Sequence, residues 1–246
     1  MLGYNYRVAN IVRVNETVRL VIRQAREKIL PNCASILEEA RKFFEQTRFP
    51  RACFLAMTAI EEAGKLTVLR FIAHDTAEKF GFCPSEVNLG ALDAFLRDHP
   101  EKAREAVAQS LYINAGADRR HGVHPTSGMH RTSGLILIIR AGGWMKLRNS
   151  CLYVDVKFEP PEAASPDERV SQALSYYMIT MGYEVVVEQA PAALDVPSPG
   201  WIEFQDGMID QLREFMSRWG ASSNIDDLDF LANPEPWQRE AERREK

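Results

Sequence analysis

The chain has 246 residues, of which 46% are hydrophobic and 26% are charged, so it can bury one sizeable core, alone or with a small appended unit. Its net charge of −4 excludes a whole-protein field that attracts nucleic acid or anionic lipid, and any polyanion site therefore has to be a local patch. The absence of an apolar N-terminal leader and of any apolar run of about 18 residues predicts a cytoplasmic protein without a signal peptide or membrane span.

The first part of the chain has the spacing of amphipathic helices. Apolar residues three and four apart predict a helix over 16–30, which Pro31 ends. Asn32 is suited to cap a second helix, whose apolar face extends to Phe44.

The segment 51–74 is apolar almost all the way round, which is typical of a central helix with neighbours on most sides. It carries a stripe of small residues along which another helix can approach closely: Ala52, Ala56, Ala59 and Ala63. Further helices are expected over 85–97 and over 99–113, where Pro100 suits a first helical turn.

The second half of the chain mixes helices with irregular segments. Enrichment in Gly, Ser, His and Arg predicts a long loop over 114–134. Residues 135–149 are predicted to be helical, although Leu135–Ile139 would also suit a strand. The pair Ser165 and Glu168 resembles a capping box that begins a helix. The remaining predictions are an extended segment over 152–165, a helix from 165 to about Gln189, a linker over 191–200, a helix over Ile202–Trp219 and a fraying tail from Asn233.

Three charged residues interrupt the apolar segment 51–74. Glu61, Glu62 and Lys65 all fall among apolar neighbours on a helical wheel, so each carboxylate needs a partner. Glu61 and Lys65 are spaced to pair within the helix, whereas Glu62 is expected to be buried and to contact another element. Gly64 indicates close approach by another helix or by a substrate backbone. The cluster suits either a structural polar network or the wall of a site.

A basic, histidine-rich region extends from residue 118 to 148. It holds six Lys or Arg and one acidic residue, a local balance of +5, together with His121, His124 and His130. Such a patch suits binding a phosphodiester and moving protons near neutral pH, although a merely solvated loop has the same composition. His99 and Lys102 lie one turn apart, and His99 suits either a neutral base or a helix-capping residue.

No sequence motif indicates a site for a metal or another cofactor. The chain has no His-Glu-x-x-His pattern, and its four cysteines contain no Cys-x-x-Cys pair. We therefore expect free thiols in a reducing compartment, no metal and no cofactor.

Three motifs together resemble those of AbiV-type abortive-infection proteins, and they occur in the same order over roughly residues 21–156. The first is an Ala-rich helix that ends in Glu-Glu-x-Gly-Lys, followed by His-x-x-Lys and by Leu-Tyr-Val-Asp: Glu61, Glu62, Gly64 and Lys65; His99 and Lys102; Leu152, Tyr153, Val154 and Asp155. Residues 1–20 and 157–246 have no counterpart in this resemblance.

The resemblance implies an all-α fold: a helical bundle similar to HEPN domains over 21–156, with an N-terminal extension over 1–20 and a helical C-terminal extension over 157–246. Many HEPN proteins are dimeric, metal-independent ribonucleases whose site is an Arg followed, after four to six residues, by a His. Arg119 and His124 match that spacing.

We accordingly expect a phage-defence protein that cleaves RNA and responds to a phage-encoded activator protein. We expect it to be a homodimer that uses the Ala-rich helix region or the elements beside it. The residues assigned to catalysis are Arg119, His124, His99, Lys102 and Glu62. The residues assigned to RNA binding are Arg120, Arg131 and Arg148, and those assigned to a structural polar network are Glu61, Lys65, Tyr153 and Asp155. The alternative is a non-catalytic helical protein that captures a phage or host factor and blocks translation.

Overall fold

The computed structural model describes residues 11–73, 86–115, 124–158, 161–192 and 199–245. Helices make up most of this part of the chain, with two small antiparallel sheets, so the all-α prediction is confirmed. The elements in chain order are β1 (Ile11–Arg13), α1 (Glu16–Glu45), α2 (Phe49–Ala73), β2 (Glu86–Asn88), α3 (Leu89–Arg97), α4 (His99–Ala115), α5 (His124–Arg140), α6 (Gly143–Ser150), β3 (Asp155–Phe158), β4 (Pro161–Ala164), α7 (Pro166–Arg169), α8 (Gln172–Ala192), α9 (Pro199–Trp219), α10 (Asp229–Ala232) and α11 (Glu235–Glu245).

Helix α1 is one continuous helix, so the prediction that it ends at Pro31 is wrong. A proline inside a helix costs about 3 kcal/mol, because it removes a hydrogen bond and crowds the preceding turn. Leu30 and Cys33, on either side of the proline, are fully buried, and the apolar stripe continues in register to Phe44. Burial of this stripe against the rest of the bundle outweighs the local cost of the proline.

Helix α2 lies at the centre of the fold, as predicted, with α1, α4 and α8 packed around it. The small-residue stripe is the reason that its neighbours come so close, since Ala52, Ala56, Ala59 and Ala63 are completely buried. At Gly64 the backbone of α4 touches α2 directly: a Cβ at this position would lie 1.8 Å from the carbonyl oxygen of Lys102. The close approach predicted for Gly64 is therefore made by a helix.

We expect Gly64→Ala to be strongly destabilising, although alanine favours helices. The added methyl group has to displace backbone of α4 rather than a flexible side chain, and overpacking of this kind costs about 3 kcal/mol. Chemical denaturation of the purified protein measures the change in the free energy of unfolding. The matched control is Gly207→Ala on α9, where nothing lies within 4 Å of the added Cβ. An equal stability of the two variants would contradict the contact.

The segment 114–134, predicted as a loop, is largely helical. α4 extends to Ala115 and α5 already begins at His124, while residues 116–123 lie outside the described part of the chain. Gly134 lies inside α5, where the missing side chain lets Leu231 pack against the helix. A Cβ at this position would lie 2.4 Å from Leu231 Cδ2. At Gly134, the small residue that suggested a loop therefore serves helix packing.

Two short hairpins connect the helices. β1 pairs with β2, which replaces the first turn of the helix predicted over 85–97 and leads directly into α3. β3 pairs with β4 in the segment that was predicted to be extended. The predicted capping box is confirmed at Ser165 and Glu168, but it begins only the single turn α7, and the long helix α8 starts afresh at Gln172.

The C-terminal tail does not fray as predicted. Beyond α9 the chain forms α10, whose Phe230 and Leu231 are buried, and then α11, whose Ala241 is buried. Both helices pack on α5. Trp237 is an apolar anchor in an otherwise polar segment, which is why a composition-based prediction of fraying is wrong here.

Candidate functional site

A buried carboxylate, Glu61 of α2, forms the centre of a polar cluster between three helices. Glu61 is only 2% exposed. Trp144 of α6 donates its indole N–H to Glu61 Oε1 at 2.9 Å, and His99 at the start of α4 approaches Glu61 Oε2 with Nδ1 at 2.6 Å. The Nε atom of Arg148 lies 3.4 Å from Oε1. The indole of Trp144, the imidazole of His99 and the guanidinium of Arg148 therefore surround one carboxylate, which offsets the cost of burying it.

The contact with Glu61 favours one tautomer of the His99 ring. A carboxylate can only accept hydrogen bonds, so Nδ1 of His99 carries the hydrogen. In the neutral ring Nε2 is then left as the acceptor. The side chain of His99 is 38% exposed, so this imidazole joins a buried partner to an accessible surface.

Two cations flank this pair. Lys102 lies one turn after His99 on α4 and is only 5% exposed, and it forms no ion pair within the part of the chain that the structure describes. Burial lowers the pKa of Lys102, and the neighbouring charge of Lys65 lowers it further. Arg148 places its guanidinium over the ring of Phe54, 4.8 Å from the centroid. Its buried Nε forms no hydrogen bond among the described residues.

The roles predicted for the two neighbouring glutamates are reversed. Glu62 was expected to be buried and to contact another element, but it is partly exposed and pairs with Lys65 in its own helix. Glu61, expected to pair with Lys65, instead contacts α4 and α6. The physical reason is that α4 and α6 cover the side of α2 on which Glu61 lies and leave the Glu62 side partly open.

Comparison with known proteins decides the family. The AbiV family model, HEPN_AbiV, matches residues 21–186, about two thirds of the chain. The chain belongs to the AbiV family. It is thus an abortive-infection protein of the HEPN type. Neither a curated protein nor a solved structure gives a significant match. The match extends past residue 156 into α8, which packs against α1 and α2 in the same core.

The Arg–His spacing of HEPN ribonucleases, matched by Arg119 and His124, lies only partly within the described residues. Arg119, Arg120 and His121 lie outside the described residues. His124 is the first residue of α5, and its side chain and that of Arg131 are not described. α5 has 17 residues, so its first residue lies about 24 Å along the helix axis from its last, which leads into α6 and Trp144. The backbone therefore places His124 and the Glu61 cluster toward opposite ends of α5.

Tyr153 and Asp155, from the third AbiV motif, lie at the surface. Tyr153 is exposed, and Asp155 pairs with Arg169, so neither joins Glu61 in one polar network. Trp144 was not singled out from the sequence. Its only signal is its place one turn before Arg148 within the basic segment, which does not distinguish a carboxylate-binding indole from a core residue.

Among the described residues, no group of three or more His, Cys, Asp and Glu side chains is placed to hold a metal ion. The three described cysteines, Cys33, Cys53 and Cys151, are buried free thiols, as expected, and Cys83 lies outside the described residues. In the same part of the chain, no helix is long and apolar enough to cross a membrane.

Proposed function

We propose that this AbiV protein is a metal-independent endoribonuclease toxin, in which His99 is the proton acceptor, Arg148 stabilises the charge that develops on the scissile phosphate and Lys102 protonates the leaving oxygen. The observation that carries the proposal is the 2.6 Å contact between the buried Glu61 and Nδ1 of His99. A carboxylate that orients a partly exposed imidazole is the arrangement that general-base catalysis requires.

The proposed reaction is transfer of the phosphoryl group within the RNA strand. Nε2 of His99 accepts the proton of a ribose 2′-hydroxyl, and the 2′-oxygen forms a bond to the adjacent phosphorus. The bond from phosphorus to the 5′-oxygen of the next nucleotide then breaks, and that oxygen takes up a proton. The products are a 2′,3′-cyclic phosphate end and a 5′-hydroxyl end, and no oxidant or metal is consumed.

The cations have separate parts in this reaction. Arg148 is fixed by Glu61 and Phe54, so it can stabilise the charge that develops on the phosphate oxygens without reorganising. The lowered pKa of Lys102 makes its ammonium a stronger acid than an ordinary lysine, which suits it to protonate the leaving 5′-oxygen.

The test is incubation of the purified protein with RNA in EDTA, followed by analysis of the ends of the fragments. We expect cleavage without added metal and 2′,3′-cyclic phosphate ends. RNA from phage-infected cells belongs in the assay, because a phage-encoded activator is part of the prediction. Absence of cleavage in every sample would favour the alternative of a non-catalytic binding protein that captures a phage or host factor.

The proposed homodimer needs a surface other than the Ala-rich helix, because that helix is buried inside the single chain. The β3–β4 hairpin is better suited, since Val156 and Phe158 lie beside Ala163 and Pro161 on its outer face. Phe158 is 83% exposed. On the opposite face, Asp155 and Glu162 pair with Arg169 of α7. An uncharged outer face complements a second copy of itself.

We expect the wild-type protein to be a dimer by light scattering at micromolar concentration, and Phe158→Asp to be a monomer. A buried, unpaired carboxylate in the interface costs several kcal/mol, which is enough to dissociate such a contact. The matched control is Ile202→Asp, which changes an exposed apolar residue of α9 and should leave the dimer intact. A monomeric wild-type protein would contradict the proposed dimer.

A further inference from the structure

The corner between α5 and α6 determines the direction of α6, which carries two of the three side chains around Glu61. α5 ends at Arg140 and α6 begins at Gly143, and Gly142 between them has a left-handed backbone with φ of 71°. Trp144, which donates to Glu61, follows two residues later. A small rotation at this corner therefore moves the indole and the guanidinium of Arg148 together.

Helix α11 packs directly against this corner. A Cβ on Gly142 would lie 2.4 Å from Nη1 of Arg244, and a Cβ on Gly143 would lie 3.0 Å from Cζ3 of Trp237. The two glycines thus leave the space that the C-terminal helix fills. On the α5 side of the corner, Arg140 donates from Nε to Glu245 Oε1 at 2.7 Å, which adds a second attachment.

The C-terminal segment is itself firmly attached. The indole of Trp237 donates to Asp229 Oδ2 at 2.9 Å, which ties α11 to α10. In α10, Leu231 packs against Gly134 of α5, and the ring of Phe230 meets Tyr177 of α8 edge-on with the ring centroids 5.2 Å apart. These contacts hold α5 from Gly134 to the corner. The whole segment lies beyond residue 186, where the AbiV family match ends.

We propose that α10 and α11 are a positioning element for the candidate site, with Trp237 as the central positioning residue. By filling the space at Gly142 and Gly143 they fix the corner, and the corner holds Trp144 and Arg148 against Glu61. The consequence for catalysis rests on the proposed ribonuclease function. The consequence for the position of Trp144 does not, and it can be measured without any RNA.

The experiment follows the indole N–H of Trp144 by ¹H–¹⁵N NMR in the full-length protein, which has four tryptophans. Trp237→Ala removes the side chain at the corner, Trp237→Phe keeps an aromatic ring there, and Arg244→Ala removes the contact with Gly142. Arg244 is 47% exposed, so its loss should not unfold the protein. The matched control is Arg239→Ala, which removes an exposed residue of the same helix that pairs only with Glu235 among the described contacts.

We expect Trp237→Ala and Arg244→Ala to shift the Trp144 indole resonance, Trp237→Phe to restore it largely, and Arg239→Ala to leave it unchanged. In the cleavage assay, Trp237→Ala should lower kcat about tenfold, because a misplaced group costs rate even when binding persists. KM should change little. An unchanged Trp144 resonance in both folded variants would overturn the positioning role. If the wild-type protein cleaves no RNA, the proposed function fails, but the resonance still decides the role of α11.

Discussion

His99→Ala is expected to lower the rate of RNA cleavage by about 10²–10⁴, the usual effect of removing a general base. The side chain of His99 is partly exposed at the start of α4, so its loss should change the thermal unfolding temperature little. The measurement is the initial rate of cleavage of a labelled RNA in EDTA, with the melting curve of each protein recorded beside it.

The matched control for this prediction is His124→Ala, because both histidines are the first residues of helices and both were assigned to catalysis from the sequence. If Glu61 and His99 form the site, the His99 variant loses far more activity than the His124 variant. The reverse result would place the base in the Arg119–His124 motif and would overturn the role of His99.

Glu61→Ala is expected to have the largest effect on stability of any single change in the cluster. Removing the carboxylate leaves the indole N–H of Trp144 and the charge of Arg148 without their partner in a buried position. Breaking a buried ionic cluster in this way costs about 3–5 kcal/mol. For a chain of this size that corresponds to roughly 10 °C in Tm. Cleavage should also be lost, since His99 no longer has its orienting partner.

The adjacent residue provides a close control for the Glu61 substitution. Glu62→Ala removes the same chemical group one position along α2, but its partner Lys65 is within reach of solvent, and pairs of this kind contribute at most about 1 kcal/mol. We expect Tm to change by only a few degrees. Equal losses of stability in the two variants would contradict the assignment of Glu61 as the centre of the cluster.

Most helices could be predicted from the sequence because their apolar residues recur at three and four positions, and this periodicity reflects burial directly. The errors occur where tertiary packing overrides a local signal. Pro31 suggested a helix end, yet the flanking Leu30 and Cys33 are fully buried in one continuous helix. The polar segment after Asn233 suggested fraying, yet Trp237 and Ala241 anchor α11 on α5. A local pattern does not contain these long-range contacts.

The candidate site could be predicted only in part. The sequence indicated Glu62, His99 and Lys102 as candidates for catalysis and Glu61 as part of a structural polar network. It could not show which glutamate faces α4 and α6, because the two lie side by side on a helix that is apolar on almost every side. Trp144 gave no signal of its own. Its part in the site exists only because the corner at Gly142 turns α6 toward α2.

The most direct test of the central claim is chemical rescue of His99→Ala by imidazole, measured as RNA cleavage in EDTA. The substitution leaves a space beside Glu61 in which free imidazole can bind and accept the proton in place of the missing ring. The account predicts that the variant is nearly inactive and that cleavage rises with imidazole concentration, whereas Glu61→Gln, which keeps its own His99, gains nothing. A His99→Ala protein that cleaves RNA as fast as the wild type without imidazole would contradict it.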